Sequence, residues 1–390
     1  MSSQTKISLL SPNLHGGAAT RVYLLAKVLQ QLDFSVKVFG CLFEEQLYPI
    51  PPKKLPLQWV KGCNYPQFFQ SVQELIQAID GDIIYAVKPK PTSFGIGLLK
   101  RFLSKRPLLL DIDDWELSWF GGDDWQYQAN PKKVARDILK KDGALRDPQH
   151  PLYLRWCEQL VAKADLVTID TEFLRNRYGG IYLPNGKDTR LFDPEKFNPE
   201  ESRAKYGLSE YRVLMFPGTA RPHKGIEDVI EALNLLDRPD LRFVLVGGTP
   251  IGDGYLEQLL EKGKPWLIKL PSIPLDEMPE VVAAAHIVIV PQRDTPVARA
   301  QFPIKLGDGM AMAKPVISTR VGDIPDILGE TGFLADPSSP EQIAAQIETI
   351  FQNYDEAIAI GRKARERCVQ YYSVDAMAAI LKEAIANLSG

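Results

Sequence analysis

Arg221 and Lys224 stand three residues apart in the run Pro217–Gly225 (PGTARPHKG), just before an apolar segment of helical period that starts near Ile226. Two cations delivered to a helix start suit a diphosphate. The unpaired N–H groups of the first turn and the full side-chain charges converge on one anion. A solvated basic turn has the same composition, and His223 would add one more donor. A second helix start lies at Gln301, Phe302, Pro303, Ile304 and Lys305, with Pro303 placed as a first-turn proline. Lys305 and Asp308 fall on one face of that helix, where they either form an intrahelical ion pair or divide between phosphate and ribose hydroxyls. Gly16 and Gly17 follow an apolar strand and permit close approach of backbone to a ligand or, equally, a tight turn. His15 sits in the same loop, whereas His286 leads straight into an apolar strand and reads as a core residue. The segment Leu108–Trp115 ends a buried strand with Asp111, Asp113 and Asp114. Buried carboxylates are costly unless paired. This cluster therefore holds a divalent ion, binds sugar hydroxyls, or caps a helix beginning at Trp115.

The elements that must position these residues alternate in type. Apolar strands at TKISLL, SVKVFG, DIIYAVK, PLLLDID and DLVTID are separated by segments of helical period, beginning with Val22, Leu25, Ala26, Leu29 and Leu32. A second series of the same kind runs from RVLMFPG through RFVLVGG, WLIKLPS, HIVIVPQ and PVIST. Each series implies an α/β doubly wound parallel sheet whose ligands gather at the carboxyl ends of the strands. Between them PNGKDTRLFDPEKFNP (184–199) is rich in turn formers and lacks periodicity, as a linker does. Trp115–His150 interrupts the first series as a polar and aromatic insertion. The expected division is 1–190 and, from 191 to about 370, a second domain.

The chain has 390 residues, 45% hydrophobic and 24% charged, enough for two globular domains. Lys and Arg number 46 against 49 Asp and Glu, a formal charge of -3, which gives no global basic field for nucleic acid. No stretch reaches the roughly 18 apolar residues of a membrane span. Cys41, Cys63, Cys157 and Cys368 lack CxxC spacing, which argues against a zinc site and a disulfide framework and fits a reducing cytoplasm. No metal and no cofactor are expected.

The linker PNGKDTRLFDP, the loop GTARPHKG and the stretch PIKLGDGMAMAKPVISTRVGDIPDIL together resemble retaining glycosyltransferase family 4, of GT-B type, over nearly the whole chain. The resemblance implies two facing Rossmann-like domains and transfer of a sugar from a nucleotide diphosphate sugar. In that reading Arg221 and Lys224 contact the donor diphosphate, Asp308 holds the ribose, and Ser272 and Ile273 lie by the nucleobase. Gly16 and Gly17 approach the donor from the N-terminal domain, and the stretch YYSVDAMAAILKEAI resembles the helix, at about 371–390, that crosses back to that domain. Three positions depart from the family pattern. Ala300 stands where the first of two glutamates is usual, which leaves sugar recognition to Asp294 or to the backbone of Gln301–Ile304. Thr219 replaces the arginine that usually follows the phosphate-loop glycine, and Asp113 precedes Asp114 in place of a His-Asp pair. The implied reaction retains anomeric configuration without a protein nucleophile, Asp113 being the catalytic candidate of the N-terminal domain.

A nucleotide-sugar epimerase of the same architecture, or a silent nucleotide- or carbohydrate-binding relative, would need the same diphosphate grip. A dehydrogenase is disfavoured because LHGGAAT lacks the GxGxxG pattern. UDP is favoured over GDP or ADP by frequency in the family alone. The acceptor is a glycan, a lipid-linked molecule or a small molecule, with His15, Asp114, Trp115 and Trp119 as acceptor-side candidates. Lys88, Lys90, Lys100, Arg101, Lys105 and Arg106 form a basic 88–106 region that offers peripheral contact with the inner face of a membrane.

Overall fold

A computed structural model describes residues 4–248 and 254–388. The chain divides into two compact units, one of Met1–Asn185 with Met377–Gly390, the other of Gly186–Ala376. Each is built on a wholly parallel sheet. In unit 1 the strands β1 (Lys6–Ser11), β2 (Ser35–Leu42), β3 (Leu57–Lys61), β4 (Ile83–Val87), β5 (Leu108–Ile112), β6 (Leu166–Ile169) and β7 (Ile181–Tyr182) lie in the order 3-2-1-4-5-6-7. In unit 2 the strands β8 (Arg212–Phe216), β9 (Leu241–Val246), β10 (Leu267–Leu270), β11 (Ile287–Val290), β12 (Val316–Thr319) and β13 (Phe333–Ala335) lie in the order 10-9-8-11-12-13.

The sequences dictate this arrangement. All five residues of β5 (LLLDI) and all four of β11 (IVIV) are buried. Such continuous apolar runs need helices on both faces of the sheet, which the crossovers of parallel strands provide. In the helix Gly17–Gln31, Val22, Leu25, Ala26 and Leu29 are at most 1% exposed and form the stripe that covers the sheet of unit 1. The strand order reverses once in each unit, between β1 and β4 and between β8 and β11. Crossovers leave on opposite faces at such a point, which opens a crevice beyond the strand ends. Gly16 and Lys88 follow the first pair of strands; Gly218 and Gln292 follow the second.

Two strands carry no sequence expectation. β3 (LQWVK) is an edge strand with one buried residue, and β13 is only three residues long, too short for a periodic signal. The insertion after Trp115 contains a helix that carries no sequence expectation, Pro131–Leu139, in which Asn130 accepts from the Lys133 amide at 2.8 Å and Pro131 occupies the first turn. The joint lies at Asn185/Gly186 instead of 190/191. The Lys187 amide donates to the Tyr372 carbonyl at 2.7 Å and its carbonyl accepts from Val374 at 3.0 Å, which ties the segment after Asn185 into unit 2. The same bonds keep residues 371–376 in unit 2, so the returning segment begins at Met377.

At the centre of unit 1 lies an ion pair. Arg21, 1% exposed, donates from Nε and Nη2 to the two oxygens of Asp111, each at 2.9 Å, and to the carbonyls of Leu183 and Pro184, each at 3.0 Å. Thr168 adds a bond to Asp111 at 2.7 Å and is itself bonded to Tyr85 at 2.6 Å. Arg21→Met would leave Asp111 charged and unpaired in the core. A loss of about 3–5 kcal/mol in urea unfolding is expected, with partial recovery when Asp111→Leu is added.

Candidate functional site

Unit 2 carries the loop and the two helix starts that the sequence marks as candidates for a diphosphate. After β8 the chain passes Gly218 and Thr219, forms a short turn at Pro222–Lys224, and enters the helix Ile226–Leu236 through Gly225. Gly225 is required there: its φ is +66° and a Cβ would come within 2.0 Å of the Pro291 carbonyl oxygen. Arg293 clamps the loop from β11, donating to Asp228 at 2.8 and 3.2 Å and to the Pro222 carbonyl at 3.5 Å. Arg221 is exposed, with no carboxylate partner among the described residues. Lys224 Nζ lies 3.4 Å from the amide oxygen of Gln292 and 3.3 Å from that of Gln301. Burial, together with the charges of Lys224 and Arg221, pushes His223 down to about 3, so its imidazole is neutral at physiological pH.

The second helix, Ile304–Ala311, starts behind Pro303, and neither helix start has a side-chain cap. Its first N–H groups are therefore available to an anion. Lys305 lies against the phosphate loop, since a Cβ on Gly218 would meet its Cε at 2.9 Å. Lys224, Gln301 and Lys305 thus converge on one face of the loop. Phe302 packs into the core against Tyr372, with ring centroids 5.9 Å apart, and supports the turn. Asp308 is 2% exposed and is bonded by Lys187 of the 186–199 segment, with Lys305 Nζ 3.7 Å from its other oxygen. Lys187 was not singled out in the sequence, because its partner lies 121 residues away.

Gln292 was also missed. It follows β11 at the point of strand reversal, is 1% exposed, and its side-chain nitrogen has no partner among the described residues. An amide N–H buried at the mouth of this loop is a donor awaiting an acceptor. Ala300 is fully buried, and Asp294 is held by Arg299, 2.6 Å between Oδ2 and Nη2. Asp294 is thus committed to an ion pair. Ser272 and Ile273 follow β10 on the same carboxyl edge, two strands from β8, with Ser272 exposed and Ile273 packed on the core.

In unit 1, Gly16 (φ +82°) caps the helix Gly17–Gln31, and no atom lies within 4 Å of a Cβ placed on Gly16 or Gly17. His15 Nδ1 lies 3.0 Å from the Gln46 carbonyl and its ring 5.5 Å from Tyr48. Lys88 is 6% exposed and lies 2.7 Å from Glu116, 3.3 Å from Asp113 and 3.6 Å from Asp114. Lys90 pairs with the other oxygen of Glu116 at 2.6 Å. Lys88 and Lys90 are therefore spent on this cluster and leave the basic 88–106 region, whose remaining cations are Lys100, Arg101, Lys105 and Arg106. Burial alone would raise Glu116, but Lys88 and Lys90 draw it down to about 2. Asp113 and Asp114 are raised by burial against the pull of Lys88. Asp111, spent on Arg21, takes no part, and among the described residues no group of three His, Cys, Asp or Glu could hold a metal ion.

Trp115 is 5% exposed, with Arg177 4.3 Å from its ring centroid and Phe173 at 5.6 Å; it packs the insertion and offers no face to a sugar. Trp119 is 43% exposed and donates to Asp114 at 3.2 Å. Asp170 is the buried group that sequence reading passed over. Thr168 pairs with Asp111 and Ile169 with Ile112, so Asp170 follows β6 where Asp113 follows β5. It is fully buried and both carboxylate oxygens lack a partner among the described residues. Burial holds it well above the usual carboxylate range.

Residues 211–353 match the family described as Glycosyl transferases group 1. The chain is 33% identical over 304 residues to the D-inositol 3-phosphate glycosyltransferase of Corynebacterium glutamicum, covering 70% of each protein. It is 26% identical over 288 residues to the GDP-mannose-dependent alpha-(1-6)-phosphatidylinositol monomannoside mannosyltransferase of Mycolicibacterium smegmatis, covering 66% of this chain and 73% of that one. In fold it is similar to HepE of Anabaena, solved in complex with UDP and glucose: TM-score 0.75, 20% identity, 98% of this chain and 100% of that chain covered. It is likewise similar to the sucrose-phosphate synthase of Thermosynechococcus elongatus: TM-score 0.71, 19% identity, 99% of each chain covered.

A carboxyl that binds its proton more tightly folded than unfolded lowers stability as pH rises from the unfolded value, about 4, toward the folded one. Asp170→Asn removes that penalty. Its urea midpoint should exceed that of the wild type at pH 8, with the difference vanishing near the unfolded value.

Proposed function

The chain belongs to the glycosyl transferases group 1, and we propose that unit 2 binds its donor, a nucleotide diphosphate sugar, at Arg221, Lys224, Lys305 and the two helix starts. The observation that supports this reading is the convergence, at the strand reversal of unit 2, of Lys224, Lys305 and the unpartnered Gln292 amide on a loop that ends at an uncapped helix. A diphosphate offers these donors acceptor oxygens that carry full negative charge. Asp308, fixed by Lys187, presents a carboxylate to the ribose, and the loop Ser272–Ile273 takes the nucleobase.

The chemistry follows from the charge distribution. As the bond between sugar and diphosphate breaks, negative charge grows on the leaving phosphate oxygen, and Arg221 and Lys224 stabilise it in place. That oxygen then accepts the proton of the acceptor hydroxyl as the new glycosidic bond forms on the same face, with retention of configuration. No protein nucleophile and no metal ion is needed in this scheme, and positioning with electrostatics carries the rate. With Ala300 buried where a carboxylate would face the sugar, and Asp294 committed to Arg299, sugar hydroxyls are read by the backbone of Gln301–Ile304. Asp113 and Asp114 in unit 1 are the acceptor-side carboxylates. UDP is the favoured carrier, on the precedent of HepE, which was solved with UDP, while the mannosyltransferase relative uses GDP-mannose.

Thermal unfolding with UDP, GDP, ADP and their sugars tests the assignment and names the base. A nucleotide present at a hundred times its dissociation constant stabilises by about 2.7 kcal/mol. Selective stabilisation by one nucleotide, unchanged by EDTA and lost in Lys224→Ala, is the expected result. No shift with any nucleotide, or a shift that survives Lys224→Ala, rejects the site.

A further inference from the structure

Unit 1 holds a cavity of about 470 Å³, within the range of small-ligand sites, apart from the Lys88 cluster. Leu117, Asp123, Arg155, Glu158, Arg177 and Tyr178 line it. Arg155 and Glu158 lie one turn apart on the helix Pro151–Gln159, and Arg177 and Tyr178 end the helix Glu172–Tyr178. Most of the charges have partners. Arg177 donates to both oxygens of Asp123, with Nη1 at 2.9 Å, and from Nε to the Tyr178 hydroxyl at 3.2 Å. Arg155 uses Nη2 on the carbonyls of Gly122 and Asp123, at 3.4 and 3.1 Å.

Two sets of atoms are left over. The Glu158 side chain is 8% exposed and accepts a hydrogen bond from the Tyr178 hydroxyl; Oε2 lies 3.7 Å from Arg177, whereas Oε1 is buried without a hydrogen-bond partner among the described residues. The Nε and Nη1 groups of Arg155 bond to no described residue. A buried acceptor that lacks a donor thus stands one helical turn from donors that lack an acceptor. An inorganic anion supplies acceptors only and would face Glu158. An ammonium supplies donors only and would face two guanidiniums. A hydroxyl does both. The aromatic faces nearby are already covered, Trp115 by Arg177 at 4.3 Å and Trp125 by Arg155 at 5.7 Å, so recognition rests on hydrogen bonds.

We propose that this cavity binds a saccharide ring, through a hydroxyl that donates to Glu158 and accepts from Arg155. The site is separate from the nucleotide elements of unit 2 and does not depend on their assignment. Tyr178, Arg177, Asp123 and Arg155 are the titratable and charged groups that face Glu158, and burial pushes its carboxyl up to about 7. A hydroxyl that donates to the carboxylate favours the ionised form, so affinity falls as pH drops below that value.

Saturation-transfer NMR on the full chain without nucleotide tests this, with maltotriose, α-1,6-mannobiose, chitobiose and myo-inositol as probes and phosphate and methylammonium as competitors. The expected result is binding of at least one saccharide, several-fold weaker at pH 6 than at pH 8. Glu158→Leu and Arg155→Met should each weaken it about ten-fold or more, the cost of a hydrogen bond to a charged group. Glu158→Gln, which keeps an acceptor oxygen, should retain binding and lose the pH dependence. Thermal melting of each variant separates loss of the site from loss of the fold. Absence of saccharide binding, displacement by phosphate or methylammonium, or full affinity in a folded Glu158→Leu protein would overturn the proposal.

Discussion

A carboxylate that keeps its charge in the core must find a cation, and one such pair beside the joint organises each unit. In unit 1, Asp111 draws Arg21 out of the helix Gly17–Gln31 and, through the Arg21 bonds to Leu183 and Pro184, holds the last residues before the joint. In unit 2, Asp308 draws in Lys187 and fixes the first residues after it to the helix Ile304–Ala311. Removing one member of such a pair leaves a bare charge in low dielectric, a far larger cost than the loss of a surface ion pair. The pairs therefore determine where the rigid parts are, and they decide which charges remain for a ligand.

Subtracting those pairs leaves different chemistry in the two units. Unit 2 retains Arg221, Lys224, Lys305 and the Gln292 amide beside uncapped helix starts, all donors, as phosphate requires. Unit 1 retains carboxyl groups, Asp113 and Asp114 around Lys88 and the buried Asp170, which suit hydroxyl groups. The unit 2 set stands where strand order reverses, β8 to β11, where crossovers on opposite faces leave the strand ends uncovered. The unit 1 carboxyl groups follow the neighbouring strands β5 and β6, and Asp113 and Asp114 meet the reversal through Lys88, which follows β4.

Much of this was legible in the sequence for identifiable reasons. Runs such as LLLDI and IVIV, bounded by turn formers, read as strands buried on both faces, and Arg221 and Lys224 before an apolar helical pattern mark a candidate anion site. The glycosyltransferase membership was legible from three motifs read together, and the epimerase reading is not favoured by relatives that are named glycosyltransferases. What could not be read were long-range partners. Lys187 looked like one more charge in a turn-rich segment, and Lys88 and Lys90 looked like part of a basic surface, until folding placed Asp308 and Glu116 beside them. Trp115 and Trp119 are four residues apart and equally aromatic, yet one is buried and the other exposed, a difference set by Phe173 and Arg177 some sixty residues on. Gln292 and Asp170 escaped notice because their interest lies in side-chain atoms, the Gln292 amide nitrogen and the Asp170 oxygens, that lack partners among the described residues.

The central claim is that Arg221 and Lys224 grip the second phosphate of the donor. The most direct measurement is the dissociation constant of the preferred nucleoside diphosphate against that of its monophosphate, in wild type, Arg221→Ala and Lys224→Ala. A hydrogen bond to a charged group contributes about 1.5–3 kcal/mol, roughly ten-fold or more in affinity. Each variant should thus lose the preference for diphosphate while its monophosphate affinity changes little. Equal weakening toward both nucleotides, or an undiminished diphosphate preference, would place the second phosphate elsewhere and contradict the account.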